Sequence, residues 1–291
     1  MTTEKSGTFG IGGDLPVTRM GFGAMRLTGE LVWGPPEDEA EARRILRRAV
    51  ELGVNLIDTA DVYGPEHNER IIREALHPYP EDLVIATKGG LLRAGRGTRE
   101  NLMISHDAGE AHIREAVEGS LHRLGIERID LYQLHRIDPE VPVEDTMGVF
   151  RALREEGKIR HVGLSEVSVA EIERARSVVE IATVQNHYNL ADRSYEDVLA
   201  YCEEHGIGFM PFYPLNAGAL AVDATATAIA ERLGATKAQV ALAWLLARSA
   251  NMLLIPGTGS IDHLEENIGA SALALSSEDF AALDAAGQKP G

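Results

Sequence analysis

The stretch that decides the fold, residues 20–36, reads MGFGAMRLTGELVWGPP. Residues 20–24 have the apolar composition of a strand, and Gly21 and Gly23 lie inside that strand. An open, doubly wound sheet places its glycines in a tight turn between the first strand and the first helix instead. Here a long loop that includes Trp33 follows the strand. The stretch therefore favours a closed (β/α)8 barrel, a TIM barrel, over the open sheet.

The rest of the chain alternates short β-branched runs with longer amphipathic segments. Residues 41–53, EARRILRRAVELG, carry apolar residues three to four positions apart and stop at a glycine, as helices do. We predict strands at residues 20–24, 55–59, 83–87, 129–134, 160–164, 183–186, 208–211 and 252–255. We predict helices at residues 36–52, 67–76, 109–124, 143–156, 168–177, 194–205, 223–233, 237–248 and 276–286. Eight strand–helix units of roughly 34 residues each match the repeat of such a barrel.

The N-terminal segment, residues 8–20, precedes the first strand of the barrel and reads TFGIGGDLPVTRM. Its Gly12, Gly13 and Asp14 have the composition of a tight turn between two strands. We therefore predict a β-hairpin that caps the bottom of the barrel. No linker rich in Pro, Gly or Ser divides the chain, so we expect one domain over residues 1–291.

Composition and charge exclude several classes of protein. With 28 basic and 45 acidic residues the net charge is −17, which opposes binding to nucleic acid and to acidic membrane surfaces. The 44% hydrophobic content suits a large core, yet no apolar run is long enough to span a membrane. The single cysteine, Cys202, indicates a reducing compartment. We expect a cytoplasmic monomer or weak homo-oligomer, and the absence of metal-binding motifs predicts no metal site.

Four polar residues fall at or just beyond the ends of predicted strands, where the reacting groups of a parallel barrel gather. Asp58, Lys88 and His135 end three successive strands, and Tyr63 lies in the loop after the first of them. A buried lysine and a buried aspartate on neighbouring strands are costly unless they pair. The alternative is a structural ion pair with an unrelated tyrosine and a core histidine.

The combination suits proton transfer to a carbonyl oxygen. A tyrosine hydroxyl is a poor acid at neutral pH, and a nearby ammonium lowers its pKa. Asp58 would hold the ammonium of Lys88, while His135 would orient the carbonyl beside Tyr63. None of these groups supplies a hydride, so the site requires a cofactor.

These residues lie in motifs that resemble the aldo-keto reductases. The motifs are DTADVYG at residues 58–64, TK at 87–88 and DLYQLH at 130–135. The similarity extends from RMGFG at 19–23 to LEEN at 264–267, nearly the whole chain. The resemblance implies a barrel that binds NADPH (NADP+), with Asp58, Tyr63, Lys88 and His135 as the catalytic tetrad. Tyr63 would be the general acid in reduction and the general base in oxidation.

The resemblance also implies a cofactor site. Ser165 and Gln185 would hold the nicotinamide carboxamide, Tyr213 would stack on the nicotinamide ring, and residues 255–260 would wrap the adenosine phosphate. The complete implied set is Gly23, Ala24, Met25, Asp58, Ser165, Gln185, Tyr213, Pro214, Leu215, Gly257, Thr258, Gly259, Ser260, His263, Glu266 and Asn267.

The chain departs from the family's pattern at several cofactor positions. Many relatives carry Asn where Glu166 stands, and Lys and Arg where Gly257 and His263 stand. Losing a bidentate arginine weakens phosphate recognition. The resemblance therefore implies NADPH as the cofactor, with NADH as the second choice.

The substrate pocket is predicted from loop residues. We place Trp33 in it as a flat wall beside Tyr63 and His135, with a rim residue as the alternative. Residues 89–97, GGLLRAGRG, are expected to form a solvated flexible loop rather than a lid or an anion contact. Arg136 would meet an acidic substrate or form a surface salt bridge.

Two functions from different classes follow from these residues. The first is NADPH-dependent reduction of an aldehyde or ketone, with pyridoxal as one candidate because residues 25–27 and 32–36 resemble the pyridoxal reductase branch. The second is a nucleotide-sensing regulatory subunit of the same fold, which can retain the tetrad without turnover. The acidic, compact chain favours the enzyme.

Overall fold

A computed structural model describes residues 2–215 and 223–287. Its strands are β1 (Thr8–Ile11), β2 (Leu15–Thr18), β3 (Phe22–Gly23), β4 (Leu56–Asp58), β5 (Val84–Gly89), β6 (Leu91–Arg93), β7 (Ile104–His106), β8 (Ile129–Leu134), β9 (Ile159–Ser165), β10 (Thr183–Gln185) and β11 (Gly208–Phe209). Its α-helices are α1 (Glu39–Glu51), α2 (His67–Leu76), α3 (Glu110–Leu124), α4 (Val143–Glu155), α5 (Val169–Arg176), α6 (Glu196–His205), α7 (Asp223–Leu233), α8 (Lys237–Arg248), α9 (Ile261–Gly269) and α10 (Ser277–Gly287).

Parallel strands form a curved sheet in the order β3-β4-β5-β8-β9-β10-β11. Residues 252–255 close this sheet into a barrel, because Met252 bridges to Phe209 of β11 and Leu254 bridges to Met20 before β3. The Gly21 amide donates to the Leu254 carbonyl at 2.7 Å. The predicted (β/α)8 barrel is confirmed, although its eighth strand consists of isolated bridges rather than a continuous ladder.

Local sequence signals account for where the helices begin and end. The Asp38 side chain accepts from the Glu41 amide at 2.8 Å, so α1 begins at Glu39 and the predicted start at residue 36 is wrong. Ser168 forms a capping box with Glu171 at the start of α5. Left-handed Gly125 ends α3, as the glycine stop predicts. The other predicted helices agree with the structure to within two residues.

The N-terminal hairpin of β1 and β2 turns at residues 12–14 and closes the bottom of the barrel, as predicted. Its apolar side chains Ile11, Leu15 and Val17 are buried in one cluster with Leu56 and Val84, the first residues of β4 and β5. Those positions are the N-terminal ends of parallel strands, so the hairpin fills the end of the barrel opposite the site described below.

Residues 89–97 are not the flexible loop that we expected. They contain β6, which pairs antiparallel with β7 in the register Leu91 to His106. The Gly-rich composition suggested a loop. The pairing was not evident from the local sequence, because the partner strand lies about a dozen residues further along the chain. This β6–β7 hairpin stands above the C-terminal end of the barrel.

Among the described residues, no helix combines the length and the apolar character that crossing a bilayer requires.

Candidate active site

Asp58 and Lys88 form a buried ion pair at the C-terminal ends of β4 and β5. Lys88 Nζ lies 2.6 Å from Asp58 Oδ2, and both side chains are almost inaccessible to solvent. Lys88 Nζ also donates to the Thr59 carbonyl at 2.9 Å. The pairing that the strand ends predicted is present, and it fixes the ammonium between Asp58 and Tyr63.

Tyr63 and His135 complete the group of four. Lys88 Nζ is 3.5 Å from Tyr63 Oη and 5.1 Å from the centre of its ring. The rings of Tyr63 and His135 meet edge to face with their centres 5.8 Å apart. The structure therefore brings all four predicted catalytic residues to one place.

The protonation states suit a site that donates a proton. Burial lowers the pKa of Lys88, but Asp58 and Tyr63 together outweigh that effect, so the pKa is raised and the ammonium persists. Burial, with Lys88 and Arg136 beside it, lowers the pKa of His135 well below its usual range and keeps the imidazole neutral.

The phenol of Tyr63 differs from our expectation. Burial raises its pKa above the ordinary value of 10.0, and the lowering by Lys88 only partly offsets this. The expectation that the ammonium makes this phenol more acidic is therefore wrong for the net pKa. At neutral pH Tyr63 carries its proton and is available as an acid.

Gln133 is a site residue that the sequence analysis missed. Its amide donates to Asp58 Oδ1 at 3.0 Å, and the amide of Gln185 donates to the same oxygen at 3.0 Å. Gln185, predicted to hold the cofactor carboxamide, thus also holds the aspartate. The available signal was position, since Gln133 precedes His135 by two residues on β8 and so points to the same side of the strand.

Asp58, Tyr63 and His135 line a cavity of about 390 Å³ at the C-terminal end of the barrel, and Lys88 lies buried behind them. One wall comes from the β6–β7 hairpin and the segments after β3 and β4, with Met25, Val32, Val62, Leu91, Leu102 and Ile104. The other wall carries predicted cofactor residues, namely Gly23, Ser165, Gln185, Tyr213, Pro214, Leu215 and Gly257.

Trp33 is not among the residues that line the cavity, so its assignment to the pocket is corrected. Val32 occupies that part of the wall, and the Trp33 ring instead lies 5.4 Å from the guanidinium of Arg93. The backbone at Leu31 and Val32 is left-handed, and this conformation decides which side chain of the loop meets the cavity.

Arg136 follows His135 and reaches across the cavity to Ser165. Its Nη1 donates to Ser165 Oγ at 2.9 Å and to the His135 carbonyl at 2.6 Å. Among the described residues it forms no ion pair, so the surface salt bridge we considered is wrong.

Glu166 Oε1 accepts from the His187 amide at 2.8 Å, and this hydrogen bond holds the loop that follows β10.

The loop at residues 255–260 packs directly against the end of β3. A Cβ at Gly23 would lie 2.5 Å from the Ile255 carbonyl oxygen, and one at Gly257 would lie 2.5 Å from the Gly23 oxygen. The side chain of Ser260 caps α9 by accepting from the His263 amide, and Thr258 Oγ1 accepts from the Ser260 amide at 3.1 Å. These features make a cradle of main-chain atoms and a helix N-terminus, which suits a phosphate group.

The remaining predicted cofactor residues lie outside the cavity lining. They are Ala24, Thr258, Gly259, Ser260, His263, Glu266 and Asn267. The carboxylate of Glu266 accepts from Thr236 Oγ1 at 2.6 Å, so part of its hydrogen-bonding capacity holds α8 against α9.

Tyr213 provides a test of whether a flat ring fits the site. Its side chain lines the cavity, is 45% exposed and sits on left-handed backbone at φ 49°. A large aromatic ring that is open to a cavity on strained backbone is a stacking platform. The residues present therefore fit a nicotinamide dinucleotide.

A closed barrel with this ion pair, tyrosine and neutral histidine at its C-terminal end belongs to the class of barrel oxidoreductases. The model of the Aldo/keto reductase family matches residues 19–288. The chain belongs to this family of NAD(P)H-dependent enzymes.

Relatives of known name extend the comparison. An uncharacterized oxidoreductase of Schizosaccharomyces pombe is 49% identical over 98% of this chain and 91% of the relative. Pyridoxine 4-dehydrogenase of Escherichia coli is 41% identical over 96% of this chain and 98% of the relative. The structure of an aldo-keto reductase from Klebsiella pneumoniae in complex with NADPH is similar with a TM-score of 0.82 and 28% identity, covering 97% of this chain and 95% of that one.

Proposed function

We propose that this protein reduces an aldehyde or ketone to the alcohol with NADPH, in a reversible reaction. The observation that carries the proposal is Tyr63 Oη, 3.5 Å from the buried ammonium of Lys88 and open to the cavity beside His135. A protonated phenol held by an ammonium is suited to protonate an oxygen on which negative charge develops.

The chain's own residues divide the proton transfer among them. Neutral His135 orients the carbonyl oxygen toward Tyr63, and Tyr63 gives that oxygen its proton. Lys88 stabilises the phenolate that remains, and Asp58, held by Gln133 and Gln185, keeps the ammonium in place. When bound, NADPH supplies the hydride that these side chains lack. In oxidation the phenolate of Tyr63 takes the proton from the alcohol.

NADPH is preferred over NADH in this proposal. The related enzyme from Klebsiella pneumoniae is described in complex with NADPH. In this chain Thr258, Ser260 and His263 surround the start of α9, where a phosphate would lie. Arg26 lies beside this loop, since a Cβ at Gly257 would be 3.6 Å from its Cγ.

Pyridoxal is the specific substrate that we propose, with pyridoxine as its product. The similarity to pyridoxine 4-dehydrogenase supports it. The apolar walls at Val32, Leu91 and Ile104 suit a flat ring, and Arg136 and His106 offer polar groups for its substituents.

The deciding experiment follows NADPH absorbance with a panel of aldehydes that includes pyridoxal. We expect turnover by the wild type and at least about a 10²-fold loss in Tyr63→Phe, because general acid catalysis is typically worth 10²–10⁴. The affinity for NADPH should be nearly unchanged in this variant. Unchanged turnover in Tyr63→Phe would remove the tyrosine from the mechanism, and cofactor binding without turnover on any carbonyl would favour the regulatory subunit.

We also propose that the protein acts in the cytoplasm as a monomer or weak homo-oligomer. Cys202 is buried, and burial raises its pKa to about 12, so it is unsuited to cross-linking. A net charge of −17 disfavours self-association. Cell fractionation and sedimentation over a range of concentrations test the two statements separately.

A further inference from the structure

Two segments distant in sequence form one wall of the cavity. The turn at Glu30–Val32 contributes Val32, and the β6–β7 hairpin contributes Leu91 and Ile104. Whatever fixes the turn against the hairpin therefore fixes the width of the cavity on the substrate side.

The turn adopts a conformation that its own residues disfavour. Leu31 and Val32 both have left-handed backbone, with φ of 59° and 58°. Left-handed backbone is uncommon outside glycine, and for a β-branched residue such as Val32 it is a marked outlier. Such strain persists only where the surroundings impose it.

The surroundings that impose it converge on Arg93. Its Nη1 donates to the Val32 carbonyl at 2.7 Å, and its Nη2 donates to the carbonyl of Leu31. Nη2 also donates to the Arg96 carbonyl at 3.1 Å within the hairpin. The guanidinium lies 5.4 Å from the centre of the Trp33 ring. Arg93 thus binds the carbonyls of both strained residues and of its own hairpin at once.

No carboxylate within 4 Å pairs with Arg93 in the part of the chain that the structure describes. Burial lowers the pKa of its guanidinium, which is a cost of placing it there. The planar guanidinium of an arginine can donate to several main-chain carbonyls at once in a fixed geometry. The single ammonium of a lysine does not have this geometry. This costly arrangement serves the wall of the cavity rather than a surface ion pair.

We propose that Arg93 is a positioning residue that sets the width of the substrate cavity and so selects compact aldehydes over bulky ones. This inference rests on the proposed carbonyl reduction. The cavity of about 390 Å³ is near the lower end of ligand pockets and would also hold part of the cofactor, so little of it is left for the substrate. Outward movement of Val32 therefore changes which substrates fit. Release of the turn should admit larger aldehydes and leave the proton-transfer residues in place.

The variants are Arg93→Met and Arg93→Lys, with Arg96→Met as the matched control. Arg96 pairs with Glu30 across the same two segments but binds neither strained carbonyl through its side chain. We measure kcat/KM for benzaldehyde and for the longer 4-phenylbenzaldehyde. Both Arg93 variants should shift the ratio toward the longer aldehyde by about 10-fold, the usual scale of a pocket-size effect. NADPH affinity and the Arg96→Met ratio should match the wild type.

A second measurement detects the turn without using activity. The chain has two tryptophans, and Trp244 is fully buried, so acrylamide quenching of fluorescence reports mainly on Trp33. Quenching should increase in Arg93→Met and Arg93→Lys, remain at the wild-type level in Arg96→Met, and be weak in Trp33→Phe. If Arg93→Met does not fold, Arg93→Lys carries the test.

Three results would overturn the proposal. Unchanged quenching would show that Arg93 does not hold the turn, and increased quenching with an unchanged substrate ratio would show that the turn does not set selectivity. A loss of kcat on both aldehydes in equal proportion would assign Arg93 a general structural role. A wild type that turns over no aldehyde refutes the proposed function, and the size selection falls with it, whereas quenching still decides whether Arg93 holds the turn.

Discussion

At the scale of single residues, the site depends on two opposite charges, each of which offsets the cost of burying the other. Lys88 Nζ and Asp58 Oδ2 lie 2.6 Å apart, and both side chains are almost fully buried. Removing one partner of such a pair typically costs 3–5 kcal/mol, because the other charge stays buried and uncompensated. The pair therefore contributes to stability as well as to the proposed catalytic site.

Lys88→Met should lower both the melting temperature and the activity. The loss of the ammonium raises the pKa of Tyr63 still further, since Lys88 opposes the effect of burial. Oxidation of the alcohol, which needs the phenolate, should fall most steeply when rates are compared between pH 8 and pH 10. Lys158→Met, which removes a solvent-exposed ammonium, is the control and should change little. Adding Asp58→Asn to Lys88→Met should restore stability without activity; a double variant no more stable than the single one contradicts this account.

Asp61 is a second buried carboxyl, one that the proposed mechanism does not use. It is 9% exposed, its Oδ1 has no hydrogen-bond partner among the described residues, and burial, with Glu69 nearby, raises its pKa to about 8. The folded protein then holds a proton that the unfolded chain, with a pKa near 3.8, releases. The free energy of unfolding should therefore fall as pH rises from about 4 to about 8.

Asp61→Asn removes this titration and should stabilise the protein at pH 8 more than at pH 5. The expected difference is at least about 1.4 kcal/mol, the equivalent of one pKa unit. Urea unfolding at the two pH values measures it. Equal stabilisation at both values would mean that the carboxyl titrates normally in the folded state.

Which site residues are readable from sequence depends on the physical signal that each residue carries. Asp58 and Lys88 could be predicted because a charged side chain at the end of a buried apolar strand is costly unless it is paired with an opposite charge. Gln133 carries no charge, so its place in an apolar strand gave no comparable signal. The prediction placed Trp33 in the cavity wall, but Val32 lies there instead. The left-handed backbone, which Arg93 holds from a distant part of the sequence, sets the direction of both side chains.

At the scale of elements, one of the two hairpins could be predicted from the sequence and the other could not. The β1–β2 hairpin could be predicted because Gly12, Gly13 and Asp14 form a turn between neighbouring strands. The β6–β7 hairpin could not, because its strands are separated in sequence and its position depends on contacts with the turn at Glu30–Val32. The barrel strands themselves follow from apolar runs, although β3 and β11 are shorter than predicted and the closing segment at 252–255 forms only isolated bridges.

The β1–β2 hairpin offers a matched pair of glycine variants. Gly12 and Gly13 both have left-handed backbone, at φ 59° and 82°, so alanine strains either one. At Gly12 the added Cβ would also lie 2.1 Å from Cε1 of His161, whereas nothing lies within 4 Å at Gly13. Gly12→Ala should therefore lower the melting temperature clearly more than Gly13→Ala. Turnover of either variant below its melting temperature should match the wild type, because the hairpin is at the opposite end of the barrel. Equal melting temperatures would argue against the close packing on His161.

At the scale of the whole molecule, the charge of the cavity opposes the charge of the protein. The net charge is −17, yet Arg26 and Arg136 line the cavity beside predicted cofactor residues, and its aspartate, Asp58, is paired with Lys88. Arg26 forms no ion pair with any side chain that the structure describes. An anionic cofactor therefore meets repulsion from the surface at long range and attraction from arginines at short range.

Screening decides which of these two effects dominates the affinity. The Debye length is about 10 Å at 0.1 M salt, so charges spread over the surface of a 31.5 kDa protein are already largely screened, while groups within a few ångströms of a phosphate still attract it. The length falls to about 3 Å at 1 M, so further salt weakens this local attraction as well. The affinity for NADPH should therefore weaken by several-fold as NaCl rises from about 0.1 M to about 0.5 M, because the local contacts are then screened as well.

Arg26→Gln should weaken the binding of NADPH at low salt and flatten its salt dependence. The affinity for NADH, which lacks the 2′-phosphate, should depend less on salt. Titration of cofactor fluorescence gives all three curves. An affinity for NADPH that rises with salt over this range would mean that repulsion by the acidic surface, rather than the arginines of the cavity, controls cofactor binding.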